Sequence, residues 1–115
     1  MVKAVKVVNI EELEPYAPPN HFKMFNRKLI GENVGAKYVR VAFGVAESGG
    51  NAIKHSHQNM EQIYFVMEGE LRVKSEKEGE LEVKKGMAIF IPPGEAHITY
   101  NPGPTKAQYL VINAP

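Results

Sequence analysis

Short apolar runs broken by turn residues dominate the chain, and where the runs show a period it is two, the period of a strand. Lys37–Val45 alternates most clearly. Val39, Val41, Phe43 and Val45 share one face, and Tyr38, Arg40 and Ala42 the other. Further β-type runs are Val5–Ile10, Lys23–Ile30, Ala52–His57, Gln62–Met67, Leu71–Lys74, Leu81–Val83, Ala88–Ile91, His97–Tyr100 and Ala107–Ile112. Turn chemistry separates them: the proline-rich loop Pro15–Asn20, the stretch from Gly31, Glu47–Asn51, Pro92-Pro93-Gly94 and Asn101-Pro102-Gly103-Pro104. The polar segment Ser75–Glu80 predicts a hairpin with Glu76-Lys77-Glu78 at its solvated tip. Only Ile10–Tyr16 has the composition for a helical turn. Many short strands at even spacing predict an all-β antiparallel sandwich or barrel.

The strand Gln62–Glu68 has two demanding faces. Gln62, Tyr64 and Val66 lie on one and Ile63, Phe65 and Met67 on the other. A half-buried antiparallel strand shows one polar face, and this one does not. Something must cover the outer row, and a second copy of the chain is the simple answer, which predicts a homodimer.

At 115 residues the chain is the size of one domain, and the reading is a single domain over residues 1–115. Fourteen Lys and Arg balance 13 Asp and Glu, mixed along the chain, which gives no electrostatic support for nucleic-acid binding. No apolar run reaches the roughly 20 residues of a membrane helix. The N-terminal stretch Met1–Val8 lacks the unbroken apolar core of a signal peptide. Cysteine is absent, which removes disulfides, thiolate ligands and thiol catalysis, and the expected compartment is the cytoplasm.

Four histidines carry the candidate chemistry. His55 and His57 are two apart, and on a strand both side chains would project to one face and could chelate a single ion. His21 lies beside Pro18-Pro19 and reads as a surface loop residue. The wider pattern is Gly49-x5-His55-x-His57-x4-Gln62-x6-Gly69, then Gly86-x5-Pro92-x-Gly94-x2-His97-x3-Asn101. It resembles the two signature motifs of the cupin superfamily. Every position of the second motif matches, and in the first only the Glu position departs, occupied by Gln62. The motifs cover Gly49 to Asn101, with the short spacing of small single-domain cupins.

That resemblance implies a double-stranded β-helix, or jelly-roll barrel, here with a short N-terminal strand and loop arm. It also implies one divalent transition metal per chain (Mn, Fe, Ni, Co or Zn) held by His55, His57 and His97, with Gln62 in the fourth ligand position. Glu61 is the chemically better ligand, but strand alternation puts it on the opposite face to Gln62. Tyr64 and Arg40 are cavity candidates, Tyr64 either lining the space or filling it, and Arg40 either an anion anchor or, in the favoured reading, a solvated face residue. A site of three imidazoles and one amide leaves the charge of the ion uncompensated and favours a small anionic ligand. The expected function is a metalloenzyme acting on a carboxylate or sugar acid by isomerisation or ring opening. The alternatives are an Fe- or Mn-dependent dioxygenase and a metal-assisted binding protein without turnover.

Overall fold

A computed structural model describes residues 5–115. Eight strands form it: β1 His21–Ile30, β2 Arg40–Ala52, β3 Glu61–Glu68, β4 Glu70–Ser75, β5 Gly79–Lys84, β6 Ala88–Ile91, β7 His97–Tyr100 and β8 Ala107–Ala114. They pair in the order β5-β4-β7-β2-β8-β3-β6, with β1 on the other edge of β2, and every pairing is antiparallel. The sheet curls into a nearly closed barrel of the jelly-roll kind. Among the described residues helix is confined to two 3-10 turns, Ile10–Glu12 and Glu32–Val34. The first falls within the predicted helical segment, and the Asn9 side chain caps it by accepting from the Glu11 amide at 2.9 Å.

One predicted turn lies inside a strand. Glu47–Asn51 reads as a turn, yet β2 runs through it. The first part of β2 pairs with β8 up to Ala46↔Ala107, and its far end pairs with β7 at Asn51↔Tyr100. The strand bends from one half of the barrel to the other at Gly49, whose φ of 83° needs glycine. Asn101 fastens this corner. Its side-chain amide donates to the Ala46, Glu47 and Thr105 carbonyls at 3.0, 3.2 and 2.8 Å, and its oxygen accepts from the Gly103 amide.

Ala52–His57, predicted as a strand, leaves the ladder after Ala52 and returns only through an isolated bridge between His55 and His97. The run Val5–Ile10 forms no strand, and Val5 and Val7 are exposed. Met1–Ala4 lie outside the described residues. The rest of the N-terminal arm follows the edge of β1 through a Tyr16↔Asn26 bridge and a bond from the Arg27 guanidinium to the Leu13 carbonyl.

Register sorts the interior into layers. Gln62 faces Asn113 at the open end, Tyr64 faces Val111 beneath them, and Val66 faces Tyr109 deeper still. On the opposite wall Ser75 faces His97 at the open end and Val73 faces Thr99 below. The interior is thus polar at the mouth and apolar in depth, where Val66, Leu71, Val73 and Val83 are almost fully buried. Gly44 makes room for the Tyr109 ring, since a Cβ there would overlap it at 2.3 Å. The apolar face of β2 (Val41, Phe43, Val45) points outward, beside Leu110 and Ile112 of β8 and Ile63 and Phe65 of β3.

Candidate metal centre

The three motif histidines meet at the barrel mouth. Their ligand-capable atoms all lie within 4.8 Å of one another. Ring centroids are 4.5 Å apart for His55 and His97, 4.9 Å for His55 and His57, and 6.2 Å for His57 and His97. Metal–nitrogen bonds of about 2.1 Å at tetrahedral angles put the nitrogens about 3.4 Å apart, so each ring would need to draw in by somewhat under an ångström to share one ion.

Backbone carbonyls fix how the rings point. The Nδ1 atoms of His55 and His97 lie 2.8 and 2.9 Å from the Ile53 and Glu95 carbonyls. Each Nδ1 therefore carries the proton and each Nε2 keeps its lone pair for an ion. The two residues also exchange backbone hydrogen bonds at 3.1 and 3.0 Å, and the Gly94 amide donates to the His57 carbonyl at 2.7 Å. The Pro92-Pro93-Gly94 turn thus holds both halves of the site. A tethered loop, not one face of a strand, brings His55 and His57 together.

Burial, and after it the neighbouring His55, lowers the His57 pKa below the ordinary imidazole range. Burial lowers that of His97 as well, against the raising effect of the Glu95 carbonyl. Both are poised as neutral imidazoles, the form that binds metal.

Gln62 points inward on β3 and is buried, while Glu61 beside it is exposed. Three atoms at the mouth are buried without a hydrogen-bond partner: His57 Nε2, His97 Nε2 and Gln62 Oε1. Buried polar atoms are nearly always paired, and a shared cation is the partner that would satisfy all three at once. Asn113 Oδ1, across the ladder from Gln62, is a fourth such atom.

A cavity of about 380 Å³ opens beside the cluster and is lined in part by His55, His57, Gln62, Tyr64, Tyr109 and Asn113. His97, 1% exposed, is not among the residues that line it, though its ring lies 4.5 Å from that of His55. Of the cavity candidates, Tyr64 lines this space and Arg40 does not. The Arg40 guanidinium bonds the Ala36 and Val39 carbonyls and lies 3.8 Å from Glu32, so its expected place in the cavity is corrected to a role at the barrel edge.

Two residues escaped the sequence reading. His21, expected on a surface loop, opens β1 and lines the cavity, its ring 6.3 Å from that of His55. Glu95 lies just before His97, and its carboxylate accepts from Ser75 Oγ at 2.6 Å and the Lys77 amide at 3.0 Å. That bond to Ser75 and then the Lys77 amide hold its carboxyl below the usual range. Glu95 ties the β4–β5 hairpin to the turn that presents His97; its even spacing from His97 was the available signal.

Comparison with known proteins agrees with this picture. The family model described as the cupin domain matches residues 42–113. An uncharacterized protein of Methanocaldococcus jannaschii is 32% identical over 91 residues, 77% of this chain and 71% of that protein. The polyketide cyclase RemF from Streptomyces resistomycificus superposes with a TM-score of 0.85 at 26% identity, covering 96% of this chain and 80% of that one. A predicted oxalate decarboxylase of Thermotoga maritima gives a TM-score of 0.84 at 22% identity, covering 95% and 98%, a likeness of fold. With both motifs, the barrel and the histidine cluster in place, the chain belongs to the cupin family.

Proposed function

We propose that the chain is a metalloprotein that holds one divalent transition metal (Mn, Fe, Ni, Co or Zn) through His55, His57, His97 and Gln62. It uses the ion on a small carboxylate-bearing molecule such as a sugar acid, by isomerisation or ring opening. The observation that carries this reading is the cluster of His55, His57 and His97, together with the unpartnered buried atoms His57 Nε2, His97 Nε2 and Gln62 Oε1, which a cation would satisfy. A bound ion supplies uncompensated positive charge, which attracts a carboxylate and polarises a carbonyl.

The cavity limits the ligand. Its volume of about 380 Å³ is near the low end of the roughly 300–1,000 Å³ typical of small-molecule sites. Among the described residues no Asp or Glu lines it, and the one Lys or Arg that does, Lys54, is tied to Glu76 at 2.6 Å. The ligand is thus anchored by one anionic group at the ion, with no partner for a second. Burial pushes the Tyr64 and Tyr109 phenols up, so they serve as hydrogen-bond donors rather than bases. RemF, by its name a polyketide cyclase, adds support for a catalytic role.

The lack of a carboxylate base favours a second reading, a metal-assisted binding protein without turnover. Elemental analysis of protein purified without added metal, followed by a screen of sugar acids and of oxygen uptake, separates these readings. Turnover of a sugar acid supports the first, and oxygen uptake replaces it with the dioxygenase alternative. Tight binding without turnover leaves the second.

Two further features belong to the proposal. The cytoplasm is the proposed compartment; among the described residues no helix is long and apolar enough to cross a membrane. The molecule is proposed to work as a homodimer, packed through the outer row around Ile63, Phe65, Leu110 and Phe90, of which Phe90 is 54% exposed. Burying each large side chain is worth roughly 1.5–3 kcal/mol before association costs. Light scattering is expected to give twice the chain mass of 12.8 kDa for the wild type and a single mass for Phe65→Glu. A wild-type mass near 13 kDa ends the dimer reading.

A further inference from the structure

His21 reaches the cavity only through an irregular stretch of backbone. β1 pairs with β2 as His21↔Ala52 and Phe22↔Asn51, then shifts register before Met24↔Ala46. Regular alternation counted back from the buried Met24 would turn Phe22 inward and His21 out. The bulge reverses this. Phe22 is 58% exposed and His21 lines the cavity. Two residues around it, Asn20 at φ 62° and Lys23 at φ 56°, are the non-glycine residues with positive φ among those described. Lysine rarely adopts this conformation, and such strain concentrates where it aims a functional side chain. Gly50 admits the bulge, because a Cβ there would lie 2.6 Å from the Lys23 carbonyl oxygen.

The ring is also oriented. Its Nδ1 lies 2.8 Å from the Pro19 carbonyl, so Nδ1 carries the proton and Nε2 is left as an acceptor. The His21 ring is about as far from His55, 6.3 Å, as His57 is from His97, 6.2 Å, yet it stands outside the tight cluster of three. It is placed to touch what binds beside the ion, not the ion.

We propose that His21 is a ligand-contacting residue whose Nε2 accepts a hydrogen bond from a hydroxyl of the bound molecule, which makes that molecule a hydroxy carboxylate rather than a bare carboxylate. This rests on the carboxylate reading above and narrows it.

The test is calorimetric titration of the zinc-loaded protein with D-gluconate and with hexanoate, a chain of equal length without hydroxyls. The wild type is expected to bind gluconate about tenfold or more tighter. His21→Phe should lose about tenfold for gluconate, the scale of one hydrogen bond in a partly buried site, with hexanoate affinity and zinc content unchanged. His21→Gln, which restores an acceptor, should recover most of the loss. Unchanged gluconate affinity in His21→Phe overturns the proposal while the carboxylate reading stands. Equal losses for both acids, or loss of zinc, also overturn it, by assigning His21 to packing or to the ion. If neither acid binds the zinc-loaded wild type, the carboxylate reading fails and takes this proposal with it.

Discussion

The mouth and the depth of the barrel are built from the same strands and do opposite things. β3 enters the mouth with Gln62, whose oxygen has no protein partner, and three layers in it presents Val66, fully buried among apolar neighbours. β7 presents His97 at the mouth and, one layer below, Thr99, a polar exception whose Oγ1 is also buried without a partner. In depth, packing is complete and contributes stability. At the mouth, polar atoms are held ready without partners, an arrangement that costs stability unless something binds. The difference implies that mutations at the two levels should separate cleanly into losses of metal and losses of fold.

The largest effect is expected for His55→Ala. Metal affinity, measured by chelator competition, should fall by orders of magnitude, since the remaining side chains cannot close the coordination sphere. Unfolding of the metal-free protein should change little, because His55 is only half-buried. An equal loss of stability would dissolve the division between the levels.

Leu71→Ala is the converse experiment. Leu71 is fully buried, and its truncation should cost about 2–5 kcal/mol in denaturant unfolding. The folded fraction should still take up one metal ion. A variant that folds normally but loses metal would place the apolar level in the site.

Gln62 and Glu61 sharpen the comparison within a single strand. Gln62→Ala should weaken metal binding about tenfold or more, and Glu61→Ala should leave it unchanged. The reverse order would make the exposed carboxylate the ligand.

The smallest effect is in pH. The pKa values of His57 and His97 are lowered from the ordinary 6.5, so the unfolded chain binds more protons than the folded one just below that pH. Stability of the metal-free protein should therefore be fully present above about pH 6.5 and fall as the pH drops through and below it. Urea midpoints at roughly pH 7.5 and 5.5 check the sign. In the variant His57→Phe the decline should shrink.

The histidine triad and the inward turn of Gln62 were legible in the sequence, because motif spacing and strand alternation depend on local order. β1, β3 and the β4–β5 hairpin were legible for the same reason. The bend in β2 was not. Glu47–Asn51 carries the composition of a turn, and long-range bonds from Asn101 to Ala46 and Glu47, with pairing to β1 and β7, make it a corner inside a strand. His21 was missed because a bulge reversed its face, and bulges are set by a partner strand, here by Gly50. For Arg40 the sequence left an anion anchor and a solvated face residue side by side, because alternation shows a face but not where the far end of a long side chain goes.

The central claim is that the unpartnered atoms at the mouth are a metal site. Elemental analysis of the wild type and of His57→Ala, both purified without added metal and then offered Mn, Fe, Ni, Co and Zn, tests it most directly. The account predicts close to one ion per chain in the wild type and nearly none in the variant. Full occupancy in His57→Ala, or a wild type that retains none of the five metals, would contradict it.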